Sequence, residues 1–276
     1  MSTLSGNIQL VSAQGRELTS LRAINELEKA EKERIYTSII PPRLLELLNI
    51  SPGTLSGRDG RRRVTIIAPQ GMGLARIEVK RHPDVPHTVF FLDIADTHYR
   101  QMDLSFCIIS DPSSPRFAVD LDSSGNNNCF TTLGRNIPEE IRAMQAGLFP
   151  NQPCRGLRMF GEFFPLFERF VDSLAMDMIV AEPLTYDNAI RYEKYGFDYL
   201  HGRRLMERID REFALGGGLT ARLDGSTPFR MPGMEKSVHG RSWAIHDGVM
   251  DEPWEDVMIY KLVGADAGVN TFTERV

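Results

Sequence analysis

The spacing of apolar residues changes twice along the chain, and this change limits most strongly what the chain can fold into. Residues 16–36 carry Leu18, Leu21 and Ile24 at helical spacing, with charged residues between them. From residue 62 onward the sequence consists of short apolar segments bounded by Gly, Pro or Asp, which is typical of strands. Five strands are predicted, at 63–69, 73–82, 87–96, 101–110 and 116–122. Because parallel neighbours need long crossovers, these closely spaced strands are expected to form an antiparallel meander.

Helical spacing returns in the second half of the chain. Helices are predicted at 137–146 and 156–175, the second with a stripe of five phenylalanines and an internal Pro165 that implies a kink or a late start. A buried strand follows at 176–183, and segments 242–248 and 254–263 are expected to form a terminal hairpin. The predicted fold is therefore α/β (mixed α+β), with a mixed, mostly antiparallel sheet flanked by helices.

The same texture suggests a domain organisation. Residues 1–57, which include a second short helix after Pro41 and Pro42, form a helical N-terminal extension in this interpretation. Residues 58–276 form one α/β domain, in which 216–240 is a Gly/Pro-rich loop.

Composition excludes several classes of protein. A net charge of −5 over 276 residues argues against a general nucleic-acid binder. No apolar run approaches the length of a membrane span, and the N-terminus lacks the pattern of an export signal, so a cytoplasmic location is expected. The three cysteines are widely spaced and predict no disulfide framework. The six histidines show no metal-binding spacing, so no metal is expected.

One short stretch, NAIRYEKYGFDYL at 188–200, contains the most specific pattern in the chain. Gly196, placed after a helix and before a strand, predicts a left-handed residue at a helix C-terminus. With the preceding RGLRMFGEFF and DMIVAEP segments and the terminal hairpin, the piece Tyr-Glu-Lys-Tyr-Gly-Phe resembles the GNAT superfamily of acyl-CoA-dependent N-acyltransferases. The resemblance covers roughly residues 62–263.

The resemblance implies a donor site and a reaction. The loop that opens the 156–175 helix would bind the pyrophosphate of acetyl-CoA or another acyl-CoA, because helix N-termini present unpaired N–H groups to anions. Its residues are Arg155, Gly156, Leu157, Arg158 and Gly161. The acyl group would pass to an amine on a small molecule or peptide. Tyr192 matches the tyrosine that protonates the departing thiolate in the family.

A transfer of this kind also needs a base for the amine. Four carboxylates are candidates, namely Asp120, Asp122, Glu162 and Glu182. The two ranked first are Asp120, at the end of the predicted strand 116–122, and Glu182, where the buried strand opens before Pro183. Each has a structural alternative: Tyr192 as a core aromatic residue, and the two carboxylates as solvated strand ends.

Bulky residues stand in the predicted phosphate loop where the family carries glycine. This departure favours one alternative, the same fold with an acyl-carrier protein as donor. A second alternative, from a different class, is a catalytically inactive relative that serves in binding or dimerisation. The length of the predicted N-terminal helix leaves a homodimer open as well.

Overall fold

The computed structural model describes residues 9–97, 99–129, 131 and 133–273. Its chain divides into two compact units. Unit 1 comprises residues 1–112, 156–181 and 261–265, and unit 2 comprises residues 113–155, 182–260 and 266–276. Residues 1–8 of the predicted N-terminal extension and residues 274–276 lie outside the described part. The domain division at residue 57 stays a prediction.

Unit 1 is built on an antiparallel meander of four strands. These are β1 (Val64–Ile67), β2 (Leu74–Val79), β3 (Phe90–Asp96) and β4 (Gln101–Ile109). A fifth strand, β5 (Met178–Ala181), pairs with β4 in parallel. The predicted fifth meander strand at 116–122 is wrong, because this segment runs through turns that are closed by side chains such as Asn128.

One face of the meander is the core of unit 1. Side chains alternate along each strand, and those on this face are buried. They are Val64, Ala75, Ile77, Val79, Phe90, Leu92, Ile94, Met102 and Leu104. Helix α5 (Phe160–Ser173) belongs to this core, with the ring of Phe163 5.7 Å from that of Phe90. The helix continues through Pro165, whose side chain is exposed.

The N-terminal region of unit 1 is helical, but the predicted helix at 16–36 is two helices. They are α1 (Leu21–Asn25) and α2 (Lys29–Thr37), followed by α3 (Pro42–Leu47). Asn25 explains the break: its buried amide donates to the carbonyls of Met72 and Leu74 and accepts from the Tyr36 hydroxyl at 2.6 Å. Contacts with β2 and α2 therefore stabilise an end to α1 that helical spacing alone does not indicate.

Unit 2 contains most of the remaining helices and the last strands. The helices are α4 (Ile137–Gln145), α6 (Tyr186–Glu193), α7 (Arg203–Glu212), α8 (Gly218–Ala221) and α9 (Val238–His246), with a 3-10 turn at Met234–Lys236. The strands are β6 (Asp198–His201) and the first three residues of β7 (Met258–Leu262), and these pair antiparallel. Residues 261 and 262 of β7 are assigned to unit 1. Within the described residues the strand order is β1-β2-β3-β4-β5-β7-β6, so the sheet seen there has seven strands and is mostly antiparallel and open.

The predicted terminal hairpin is wrong in one of its two strands. Segment 242–248 lies largely in helix α9, and β7 pairs with β6 instead. Ser237 caps α9 by accepting from the Gly240 N–H at 3.0 Å. Trp243 of α9 is fully buried and stacks on Phe229, with the two ring centroids 5.2 Å apart. A segment buried on nearly all sides loses the one-sided pattern that separates a helix from a strand.

A network of buried charges joins α4 to the end of α9 within unit 2. Asp247 accepts from Arg135 at 3.0 Å, from Arg230 at 2.9 Å and from the Thr227 hydroxyl at 2.8 Å. Arg135 also pairs with Glu140, which is almost fully buried. Burial alone would raise the pKa of Glu140, but hydrogen bonds from His246 and Arg135 outweigh burial and lower the pKa.

The network predicts a pH-dependent stability difference. Glu140→Gln should lower the free energy of unfolding by about 3 kcal/mol at pH 7, because Arg135 loses a buried partner. The lowered pKa means that Glu140 stabilises the fold above the ordinary glutamate pKa, and that this contribution is lost as the pH falls through the lowered value. The difference between wild type and variant should therefore shrink in acid, as measured by urea unfolding from pH 7 to pH ~3.

The exposed Glu255 provides the control, since Glu255→Gln should stay within about 0.5 kcal/mol of wild type at every pH. A Glu140→Gln deficit that is the same at all pH values would contradict the assigned ionisation of Glu140.

Candidate functional site

The Tyr-Glu-Lys-Tyr-Gly-Phe segment forms the C-terminal end of α6. Gly196 has a backbone φ of 82°, which confirms the predicted left-handed residue. The Phe197 N–H donates to the Tyr192 carbonyl at 3.3 Å, and the Gly196 N–H donates to the Glu193 carbonyl at 2.9 Å. These two bonds are the pair that defines a Schellman motif.

Tyr192 has a structural role in this turn. Its ring lies 4.9 Å from the ring of Phe197, which is the apolar contact that commonly accompanies a Schellman motif. Phe197 is buried and Tyr192 is half-buried. The contact accounts for the ring of Tyr192, and its catalytic role stays a prediction that concerns the hydroxyl.

Glu193, the next residue of the segment, is a buried anchor for the C-terminal region of unit 2. Its carboxylate accepts from the Tyr199 hydroxyl at 2.5 Å, the Thr271 hydroxyl at 2.6 Å and the Thr271 N–H at 2.9 Å. Burial, reinforced by the Glu193 charge, raises the pKa of Tyr199 far above its ordinary value, so this phenol remains a donor. The Ala267 N–H also donates to the Gly196 carbonyl. The Tyr-Glu-Lys-Tyr-Gly-Phe segment therefore binds residues 266–273 through both Glu193 and Gly196.

The first residues of the predicted phosphate loop contact the C-terminal end of β4. Gly156 forms an antiparallel bridge with Ser110, and the Leu157 N–H donates to the Ile109 carbonyl at 3.3 Å. A Cβ at position 156 would lie 3.0 Å from that carbonyl, so the glycine permits a close approach to a strand. The Leu157 N–H is therefore engaged by the protein and is not free to bind a phosphate.

The other residues of the loop have separate surroundings. In unit 2, the Arg155 N–H donates to the Ser114 hydroxyl and its guanidinium donates to the Ala146 carbonyl at 3.2 Å. In unit 1, Arg158 is exposed with a backbone φ of 56°, and Gly161 is exposed in the first turn of α5. Arg158 and the first turn of α5 are the parts of this loop that can still meet an anion.

The two predicted bases have different neighbours. Asp120 is half-buried in a turn, and its carboxylate pairs with Arg116. Glu182 directly follows β5 and is exposed. Tyr192 packs on Phe197 instead. The contacts of these three residues therefore do not identify a single catalytic cluster, and their assignment stays a prediction.

The junction of β4 and β5 in unit 1 brings together features that sequence analysis missed. The parallel pairing covers three residue pairs, Gln101 with Met178, Met102 with Ile179 and Asp103 with Val180. Strand β4 has nine residues and continues to Ile109, whereas β5 ends at Ala181. The β4 edge beyond Asp103 is therefore left without β5 as a partner.

Asp103 is the last residue of this pairing and carries a perturbed carboxyl group. Burial raises its pKa, and a hydrogen bond from the Ser105 hydroxyl at 2.9 Å partly opposes the rise. Raised carboxyl pKa values are typical of groups that exchange protons near neutral pH. In the sequence Asp103 is only the polar member of an alternating strand, so nothing there distinguishes it from Asp93 or Glu78.

Within the ranges that the structure describes, no group of three or more His, Cys, Asp or Glu side chains is arranged to hold a metal ion. None of the helices in these ranges is long and apolar enough to cross a membrane.

The anchor at Glu193 predicts a stability effect. Glu193→Ala should lower the free energy of unfolding by about 3 kcal/mol, because three hydrogen bonds to one carboxylate are lost. It should also speed hydrogen exchange at the Ala267 and Thr271 amides. Lys194→Ala, at the exposed neighbouring position, should change neither quantity measurably. Unchanged exchange at Thr271 in Glu193→Ala would contradict the anchoring role.

Comparison of the chain with protein-family models, with curated proteins and with solved structures found no match in any of the three.

Proposed function

We propose that the chain is an N-acyltransferase of the GNAT type, which transfers an acyl group from a coenzyme A thioester to an amine. The amine nitrogen attacks the thioester carbonyl, a C–N bond forms and the C–S bond breaks. The amine releases a proton to a base, and the thiolate gains one from an acid. The resemblance of the Tyr-Glu-Lys-Tyr-Gly-Phe segment supports this class of reaction.

The observation that carries the proposal is the short parallel pairing of β4 with β5. In the family that the sequence resembles, two neighbouring strands diverge and hold the pantetheine arm of the donor between them. Here the pairing ends at Asp103 and Val180, and β4 continues beyond it. A strand that extends beyond its neighbour can bind an amide-containing chain by adding it as a further strand. Pantetheine contains two amides of this kind.

Asp103 is the base that the geometry favours over Asp120 and Glu182. It lies at the point where the two strands separate, and its raised pKa suits proton transfer. Asp120 forms an ion pair with Arg116, and Glu182 is exposed beyond the end of β5. Tyr192 remains the proposed acid, on the strength of the resemblance alone.

A specific observation favours a second version of the donor. Because the Leu157 N–H is occupied by Ile109, the loop has fewer free backbone donors for a pyrophosphate than the family pattern implies. Side chains such as Arg158 would then bind the anion in place of backbone N–H groups. Binding of this kind suits the single phosphate of a phosphopantetheine on an acyl-carrier protein.

Donor binding tests the first part of the proposal. Coenzyme A at a hundred times its dissociation constant should raise the free energy of unfolding by about 2.7 kcal/mol, or the Tm by about 5–10 °C. Arg158→Gln should reduce this shift, whereas Arg204→Gln, at an exposed position of α7, should not. A shift with phosphopantetheinylated carrier protein but none with coenzyme A would select the carrier-protein donor. No shift with either would contradict the proposal and favour a binding or dimerisation protein.

Catalysis tests the second part. Free thiol release from acetyl-coenzyme A is measured with a panel of primary amines. Asp103→Asn should lower the rate by about 10²-fold or more, and should remove the rise of kcat/KM with pH that deprotonation of Asp103 produces. Tyr192→Phe should lower the rate by a similar factor without unfolding the protein.

The control for Asp103 is Glu78→Gln, which changes a half-buried carboxylate on β2 of the same sheet. A wild-type rate and pH profile in Asp103→Asn would contradict the role of Asp103 as the base and leave it a purely structural role.

A further inference from the structure

A cleft in the helical part of unit 1 is not used by the proposed transfer. It has a volume of about 640 Å³ and lies between α2, α3 and the turn at residues 50–55. Its floor is apolar and formed by Ile40, Leu45, Ile50 and Leu55, all nearly fully buried. The volume lies in the range of small-molecule sites, roughly 300–1,000 Å³.

Two opposite charges line this apolar cleft. Arg34 of α2 and Glu46 of α3 are both exposed lining residues. Among residues 9–97, neither side chain has a hydrogen-bond or ion-pair partner. The third charged lining residue, Glu33, is engaged by Arg62 at 2.8 Å and by Lys29 at 3.9 Å. Arg34 and Glu46 are therefore the two charges that a ligand can meet.

We propose that this cleft binds a small zwitterion with an apolar body, of the class of dipeptides with aliphatic side chains. The carboxylate of the ligand pairs with Arg34, its ammonium group pairs with Glu46, and its side chains cover the apolar floor. A fatty-acid anion would leave Glu46 unpaired and would place a second negative charge near it. An apolar cation would leave Arg34 unpaired and would place a second positive charge near it. A ligand with both charges avoids either cost.

The cleft shares no residue with the proposed transfer site, so the two proposals can fail independently. The lining residues lie between 30 and 55, whereas the proposed transfer uses β4, β5, the start of α5 and Tyr192. Binding in the cleft is measured without any acyl donor.

The experiment uses leucyl-leucine and two capped forms of it as probes. N-acetyl-leucyl-leucine lacks the ammonium group and leucyl-leucine amide lacks the carboxylate. In calorimetric titrations of the full chain, each capped form should bind about fivefold more weakly than the free dipeptide, the scale expected for one exposed ion pair. Arg34→Gln should erase the difference between the free dipeptide and the amide, and Glu46→Gln should erase the difference between the free dipeptide and the N-acetyl form.

Gly53 lines the cleft and can carry a side chain without straining the backbone. A Cβ there would meet no atom within 4 Å, and its φ lies outside the left-handed region. Gly53→Phe should abolish binding and Gly53→Ala should weaken it less, with unchanged circular dichroism in both. Arg204→Gln is the matched control for Arg34 and should bind as wild type does.

Three results would overturn the proposal: no binding of the free dipeptide at about 10 mM, equal binding of all three probes, or wild-type binding by Gly53→Phe.

Discussion

The parallel pairing of β4 with β5 is the constraint on which the rest of this structure depends. Neighbouring antiparallel strands need only short turns, but a parallel neighbour requires a long crossover. Here the chain between β4 and β5 contains α4 and α5. The pairing covers only three residue pairs. Strand β4 continues beyond it, and the RGLRMFG segment contacts the end of β4 at Ile109 and Ser110. The proposed donor site and the proposed base lie at this junction, and the predicted phosphate loop contacts the end of the same strand β4.

The Tyr-Glu-Lys-Tyr-Gly-Phe segment shows how one pattern can serve both folding and function. Gly196 supplies the left-handed residue, Phe197 and Tyr192 supply the apolar contact, and Glu193 holds Thr271. Each of these roles has a sufficient physical account in helix termination and buried hydrogen bonding. A catalytic role for Tyr192 requires only its hydroxyl, so the structural and chemical roles are compatible and can be separated by removing that single atom.

Buried polar side chains connect segments that are distant in sequence. Asn25 joins α1 to β2, Glu193 joins α6 to the C-terminal segment, and Asp247 joins α9 to Arg135. Each buried group is costly unless its partners are in place, so each favours one arrangement of the chain over the alternatives. None of these pairings could be predicted from the sequence, since in each the partners are separated by dozens of residues and no local pattern links them.

The sequence by itself determined the local elements whose signals are local. Short apolar segments bounded by Gly, Pro or Asp predicted β1 to β4, start signals with proline in the first turn predicted α3 and α4, and Gly196 predicted its own conformation. Only the tertiary structure decided that 242–248 lies largely in a helix and that 116–122 is not a strand. It also decided that burial raises the pKa of Asp103. The physical reason is that a segment buried on nearly all sides has no one-sided period to read, and a pKa depends on neighbours that the fold brings together.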